Sequence, residues 1–127
     1  MQSIEKTGNI LPLVHEIHHA VERLLCGAEE TVIDLQAMPF APLEVDELKE
    51  ILGVGEVFAE LHAMGKSTFQ ETRISGVWWI VHYNDGEQRL TQSIEICRIP
   101  ALLMAQNADI QMGLQQLSEQ LSNLGGV

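Results

Sequence analysis

The amino-acid sequence predicts an α+β domain, in which a mixed, mostly antiparallel sheet of about five strands has helices packed on one face. Two observations carry this prediction. Apolar residues recur at intervals of three and four near both ends of the chain, which is typical of amphipathic helices. Between them the apolar period falls to two and turn residues separate the runs, which is typical of antiparallel strands. The predicted element order is αβαββββα.

The first half of the chain contains two predicted helices and one predicted strand. Residues 10–26 carry a single apolar stripe, with Asn9 placed to cap the helix and Gly27 to end it. Residues 31–35 are short and rich in β-branched side chains, which predicts a buried strand. After a proline-containing loop, residues 43–52 form a second predicted helix with acidic residues in its first turn.

Four more strands follow, and the turn Asn84-Asp85-Gly86 is a strong hairpin signal between the last two. Their predicted ranges are residues 56–62, 68–74, 77–83 and 89–99.

The last predicted element is a long amphipathic helix after Pro100, ended by Gly125 and Gly126. We expect its apolar stripe to pack on the sheet of the same chain, and a seam between two chains of a homodimer is the alternative. The stripe consists of Leu103, Ile110, Leu114, Leu117, Leu121 and Leu124.

Length and charge limit the classes of protein to which this chain can belong. With 127 residues the chain buries enough surface to fold without metal or disulfide support, so residues 1–127 are predicted to form a single domain. The formal net charge of −11 argues against nucleic acid as a partner, because phosphate backbones bind mainly to Lys and Arg. We therefore expect a basic or neutral partner.

The cellular compartment is predicted from the number and spacing of the cysteines and from the length of the apolar runs. Cys26 and Cys97 are far apart and form no C-x-x-C pair, which excludes a disulfide-rich scaffold and a zinc site built from cysteines. The N-terminus lacks the pattern of a signal peptide, and no run approaches the roughly 18 apolar residues of a membrane span. The sequence thus predicts a cytoplasmic protein that does not contact the membrane.

One local motif resembles a metal site. Residues 15–19 read H-E-I-H-H, which satisfies H-E-x-x-H on a predicted helix and places His15 and His19 one turn apart. A catalytic zinc site also needs a third ligand and a sheltered cleft, and no downstream H-x-x-G-x-x-H extension exists. A solvated helix face is therefore the default interpretation. A metal-handling protein that carries nickel or zinc on His15, His18 and His19 is the alternative.

Signatures of known enzymes are absent from the sequence, and we predict no catalytic residues and no cofactor. There is no G-x-G-x-x-G run, no Walker A loop and no legible Ser-His-Asp or Cys-His arrangement. Cys26 lies at the end of an apolar helix and Cys97 lies within a strand. Both are therefore expected to be buried or half-buried packing residues rather than nucleophiles.

The predicted sheet offers a candidate surface for binding another protein. Trp78 and Trp79 are adjacent on one strand and must point to opposite faces, so one of them is expected to leave the main core, unless a loop or helix of the chain covers it. Tryptophan is enriched at the centres of protein interfaces. The predicted partner-binding residues are Glu56, Glu71, Trp78, Trp79 and Glu95.

A succession of short motifs resembles the C-terminal region of the HupH/HyaF family of hydrogenase expression/formation proteins, over roughly residues 10–122. The motifs are TVIDL at 31–35, Pro39 and Pro42, LGVGEV at 52–57, ET at 71–72, GVW at 76–78 and IEICRIP at 94–100.

The resemblance implies a non-enzymatic, chaperone-like role in the expression and maturation of uptake [NiFe] hydrogenase. The partner would be a hydrogenase subunit or another maturation protein. Family members typically have an additional N-terminal portion, so this chain resembles a shortened version of them. The resemblance supplies no catalytic residues.

Overall fold

The computed structural model describes residues 8–125, which form three α-helices and five strands. Two short 3-10 turns, Leu35–Ala37 and Ala101–Leu103, follow the first and the last strand. The elements in chain order are α1 Ile10–Leu25, β1 Thr31–Asp34, α2 Pro42–Leu52, β2 Phe58–His62, β3 Lys66–Glu71, β4 Val77–Tyr83, β5 Arg89–Ile96 and α3 Asn107–Asn123.

The strands form one sheet in the order β1-β5-β4-β3-β2, and all four pairings between neighbours are antiparallel. The predicted α+β class, the five strands and the element order are confirmed. Within residues 8–125 the sheet contains no parallel pair, so it is antiparallel throughout rather than mixed.

The third strand ends earlier than the sequence pattern predicts, at Glu71, because the tight connection into β4 begins at Thr72, whose backbone N–H donates a 2.9 Å hydrogen bond to the Val77 carbonyl oxygen. The Thr72 hydroxyl donates hydrogen bonds to the carbonyl oxygens of Val77 and Ile74, at 2.8 and 3.1 Å. These bonds fix the tight connection into β4, in which Gly76 has the positive φ of 88° that favours glycine.

The main core lies between one face of the sheet and the two helices α1 and α2. Helix α2 begins where the buried Glu44 carboxylate accepts a hydrogen bond from the Ala41 backbone N–H, at 2.9 Å. The buried apolar residues of this core are Leu13, Ile17, Ala20, Ile33, Leu35, Leu48, Leu52, Val77, Trp79, Val81, Ile94 and Ile96.

A smaller apolar core lies on the opposite face of the sheet. Phe69, Trp78, Ile80 and Cys97 are buried there, and the partly buried Leu103 from the second 3-10 turn packs against them. A second core of this kind explains why β4 is buried on both faces along most of its length.

Helix α3 does not pack on the sheet, and the prediction that it would is wrong. All residues of α3 are exposed, including Ile110 and Leu117, which are 55% and 59% exposed. Leu103, the first residue of the predicted stripe, belongs instead to the 3-10 turn. Gly126, predicted to end this helix together with Gly125, lies outside the described residues.

In the described part of the chain, no helix combines the length and the apolar character that crossing a bilayer requires.

Candidate functional site

Three of the predicted partner-binding residues lie side by side across the centre of the sheet. Glu71 on β3 pairs with Trp78 on β4, and Trp78 pairs with Glu95 on β5. Residues in register share a face, and neighbouring strands lie about 4.8 Å apart, so the two carboxylates flank the indole with roughly 10 Å between their backbones. We call Glu71, Trp78 and Glu95 the acidic row.

Within the acidic row the carboxylates are accessible and the indole is not. Glu71 and Glu95 are half-buried, whereas Trp78 is only 4% exposed. The Trp78 Nε1 atom is buried and has no hydrogen-bond partner among residues 8–125. The Trp78 side chain therefore belongs to the smaller core, and only the two carboxylates of the acidic row are accessible.

The other two predicted residues lie apart from the row. Trp79 points to the opposite face, as strand alternation predicts, and is buried beneath α2 with the Lys49 ammonium 5.3 Å from its ring centroid. Both tryptophans are thus buried, because the smaller core covers the one that leaves the main core. Glu56 is exposed and precedes β2 in a loop.

Close backbone packing holds the Glu56 loop beside Glu71. The Gly55 N–H donates a 2.7 Å hydrogen bond to the Glu71 carbonyl oxygen. A Cβ atom at Gly55 would lie 2.4 Å from the Thr72 carbonyl oxygen, so only glycine fits this approach without a shift of the backbone.

Burial and like charge act together at the β5 end of the row. Loss of solvent raises the pKa of Glu95, and the nearby Glu30 carboxylate raises it further. The pKa of the Cys97 thiol is raised to about 12, first by burial and then by Glu95 and Glu30. Cys97 therefore stays protonated and is a buried filler, as predicted.

Cys26 differs from the prediction, because it is exposed. It caps the C-terminal end of α1, where the helix has passed beyond the main core. The Arg98 side chain donates to the Leu24 carbonyl oxygen in the same last turn, at 3.4 Å.

Two surface depressions lie close to the acidic row and share Leu24 and Arg98 in their linings. One has a volume of about 340 Å³ and reaches Glu71, and the other has about 520 Å³ and reaches Glu30. Their walls combine apolar side chains with charges of both signs.

The histidines of α1 do not group as the H-E-x-x-H spacing predicts. His18 Nδ1 and His19 Nδ1 lie 3.4 and 3.3 Å from the same Glu22 Oε1 atom. Among residues 8–125 these three side chains form the one group with potential metal ligands in mutual reach. His15 is exposed on the same helix and is not part of this group.

Sequence reasoning did not identify the edge strand β2 as a candidate binding surface. Val57, Phe58 and Leu61 are exposed there, and an open strand edge can accept an added strand from a partner. The sequence did contain a signal for this surface. Apolar residues occur at both odd and even positions of residues 57–61, whereas a strand with one buried face needs them at alternate positions only.

Comparison with known proteins identifies the family of this fold. Residues 8–124 match the family described as "HupH hydrogenase expression protein, C-terminal conserved region". The solved structure of the hydrogenase expression protein HupH from Thiobacillus denitrificans ATCC 25259 is similar, with a TM-score of 0.87 and 39% sequence identity. That match covers 94% of this chain and 99% of the other.

Similar curated proteins include two hydrogenase expression/formation proteins. HoxQ of Azotobacter vinelandii is 31% identical over 121 residues, which is 92% of this chain and 41% of HoxQ. HupH of Rhizobium leguminosarum bv. viciae is 26% identical over 103 residues, which is 81% of this chain and 36% of HupH. The chain thus spans about two fifths of the length of these relatives, and it belongs to the HupH family, within the C-terminal conserved region of the hydrogenase expression protein.

Proposed function

We propose that this chain is a non-enzymatic accessory protein for the expression and maturation of [NiFe] uptake hydrogenase. Its action would be to bind a hydrogenase subunit or another maturation factor. The observation that carries the proposal is the family membership, since the similar proteins are named as hydrogenase expression/formation proteins. The absence of enzyme signatures from the sequence is consistent with a binding role.

The acidic row is the surface that we assign to this binding. Neither Glu71 nor Glu95 has an ion-pair partner among residues 8–125, and Glu30 adds a like charge beside Glu95. Burial and the like charge of Glu30 disfavour the ionised form of Glu95, so a cation from a partner would offset this cost. A partner segment with Lys or Arg next to apolar residues would fit both the row and the neighbouring depressions.

Affinity purification tests the interaction itself. The tagged chain is expressed in cells that make an uptake hydrogenase, and the captured proteins are identified by mass spectrometry. We expect a hydrogenase subunit or a hydrogenase maturation protein to be enriched over a control with the tag alone. Enrichment of neither would contradict the proposed function.

Paired variants test the assigned surface. Glu71→Gln with Glu95→Gln removes both charges and keeps the side-chain volumes, and Glu50→Gln on the exposed surface of α2 is the matched control. We expect the double variant to lose most of the captured partner and the control to retain it, with melting temperatures no lower than that of the wild type. Equal capture of the partner by the wild type, the double variant and the control would show that the acidic row is not the binding surface.

A second candidate function is metal handling by the group His18, His19 and Glu22. Donor atoms of a tetrahedral zinc site with bonds of about 2.0–2.1 Å lie roughly 3.3 Å apart. The two distances to Glu22 Oε1, 3.3 and 3.4 Å, match that separation, which favours this trio over the set His15, His18 and His19. All three side chains are exposed, so the bound ion would be accessible for transfer.

Calorimetric titration with nickel and with zinc tests this second candidate. Micromolar binding that His18→Ala and His19→Ala abolish, and that His15→Ala leaves unchanged, would support the trio. Binding no tighter than about millimolar would exclude a metal-carrying role.

A further inference from the structure

Helix α3 is a long amphipathic helix whose apolar face packs against no other element in the described residues 8–125. Its 17 residues are all exposed, and the apolar side chains Leu114, Leu117 and Leu121 are 65%, 59% and 48% exposed. Most of the stability of a helix in a protein comes from packing of its apolar face rather than from helix propensity. The apolar face of α3 therefore needs a surface that residues 8–125 do not supply.

The apolar residues of α3 follow the heptad pattern of a coiled coil. They are spaced by four, three, four and three positions, so they occupy d, a, d, a and d in order. The residues at these positions are Ile110, Leu114, Leu117, Leu121 and Leu124.

The flanks of this seam carry no charge. The e and g positions, which face the partner helix from either side of the seam, are Gln111, Gly113, Ser118 and Gln120. The only acids of α3, Asp109 and Glu119, fall at c and f and point away from the seam. A coiled coil that selects a different chain commonly does so with charges at e and g, and α3 offers none.

We propose that α3 pairs with α3 of a second copy of this chain, along the seam from Ile110 to Leu124, to form a homodimer. The same uncharged surface on both copies is self-complementary, as a two-fold interface requires. The two acids of α3, Asp109 and Glu119, lie at outward positions, so like charges of the two copies do not meet in the seam. This inference does not depend on the proposed hydrogenase role.

Sedimentation equilibrium of the full chain tests the dimer. We expect the wild type to show twice the chain mass of 14.1 kDa at concentrations of about 100 μM, with dissociation on dilution because the seam is only about two heptads long. A wild type that stays at the monomer mass up to about 500 μM would overturn the proposal.

Two variants with the same added charge separate the seam from a general charge effect. Leu114→Glu with Leu117→Glu places two carboxylates in the seam, and Gln115→Glu with Gln116→Glu places two at the outward b and c positions. We expect the seam variant to be monomeric and the outward variant to remain a dimer. A seam variant that dimerises like the wild type would refute the assignment, and tryptophan fluorescence checks that the sheet is folded in both.

Cysteine cross-linking gives an independent readout. Leu117 is a d residue in the middle of the seam, so it faces its counterpart in a parallel pair and lies within about one helical turn of it in an antiparallel pair. In a Cys26→Ser background, Leu117→Cys should form a covalent dimer under mild oxidation and Gln116→Cys should not. Equal cross-linking of the two variants would contradict pairing along this seam.

Discussion

Substitution of Gly55 by alanine is the most direct test of how the Glu56 loop is held against the sheet. The added Cβ would lie 2.4 Å from the Thr72 carbonyl oxygen and 2.9 Å from the Glu71 carbonyl oxygen, and these backbone atoms cannot rotate away as a side chain would. The loop must therefore move outward by about 1 Å to reach ordinary contact distance.

That movement has two costs. It weakens the 2.7 Å hydrogen bond from the Gly55 N–H to the Glu71 carbonyl, which contributes about 0.5–1.5 kcal/mol. The steric misfit adds about 1–3 kcal/mol, the usual range for overpacking. We therefore expect Gly55→Ala to lower the free energy of unfolding by about 2–4 kcal/mol.

Urea denaturation followed by tryptophan fluorescence measures this loss, because both tryptophans are buried in the sheet. Gly113→Ala is the matched control, since nothing lies within 4 Å of a Cβ at that position and alanine favours an exposed helix. The control should not lower the midpoint. A Gly55→Ala protein within about 0.5 kcal/mol of the wild type would refute the close approach as described.

Three further predictions concern single side chains. Glu44→Ala should cost about 1–3 kcal/mol of folding free energy in urea denaturation, because it removes the acceptor of the Ala41 N–H, and Glu44→Gln should cost less. A thiol reagent at neutral pH should label Cys26 rapidly and Cys97 only after unfolding, since Cys97 is buried with a pKa of about 12; equal labelling rates would contradict this. Because the pKa of Glu95 is raised in the folded state, its contribution to stability is present below the ordinary value of 4.5 and is lost as the pH rises through the folded pKa. Glu95→Gln should therefore flatten the fall in stability above that value, and an unchanged pH profile would show that Glu95 is not desolvated.

The elements of the fold were predictable because each leaves a local period in the sequence. The alternation through β4 correctly placed Trp78 and Trp79 on opposite faces. Their common burial was not predictable, because Leu103 joins the smaller core from a turn that follows the sheet, and this contact has no local signature.

The location of α3 was wrongly predicted for a related physical reason. An apolar stripe records that a helix face must be covered, and it does not record which surface covers it. The same holds for the candidate site, because alternation within each strand does not give the register that brings Glu71 and Glu95 to the same face as Trp78. Glu56 lies outside the row because it precedes β2, in the loop that Gly55 holds against the Glu71 backbone.

We propose that this domain itself binds a hydrogenase subunit or maturation factor through the acidic row. The most direct measurement is the affinity of the purified chain for the purified partner found by capture, compared among wild type, Glu71→Gln with Glu95→Gln, and Glu50→Gln. We predict saturable binding that weakens at least about tenfold in the double variant, a change of about 1.4 kcal/mol, and that is unchanged in the control. No binding by the wild type, or equal affinity for all three proteins, would contradict the account.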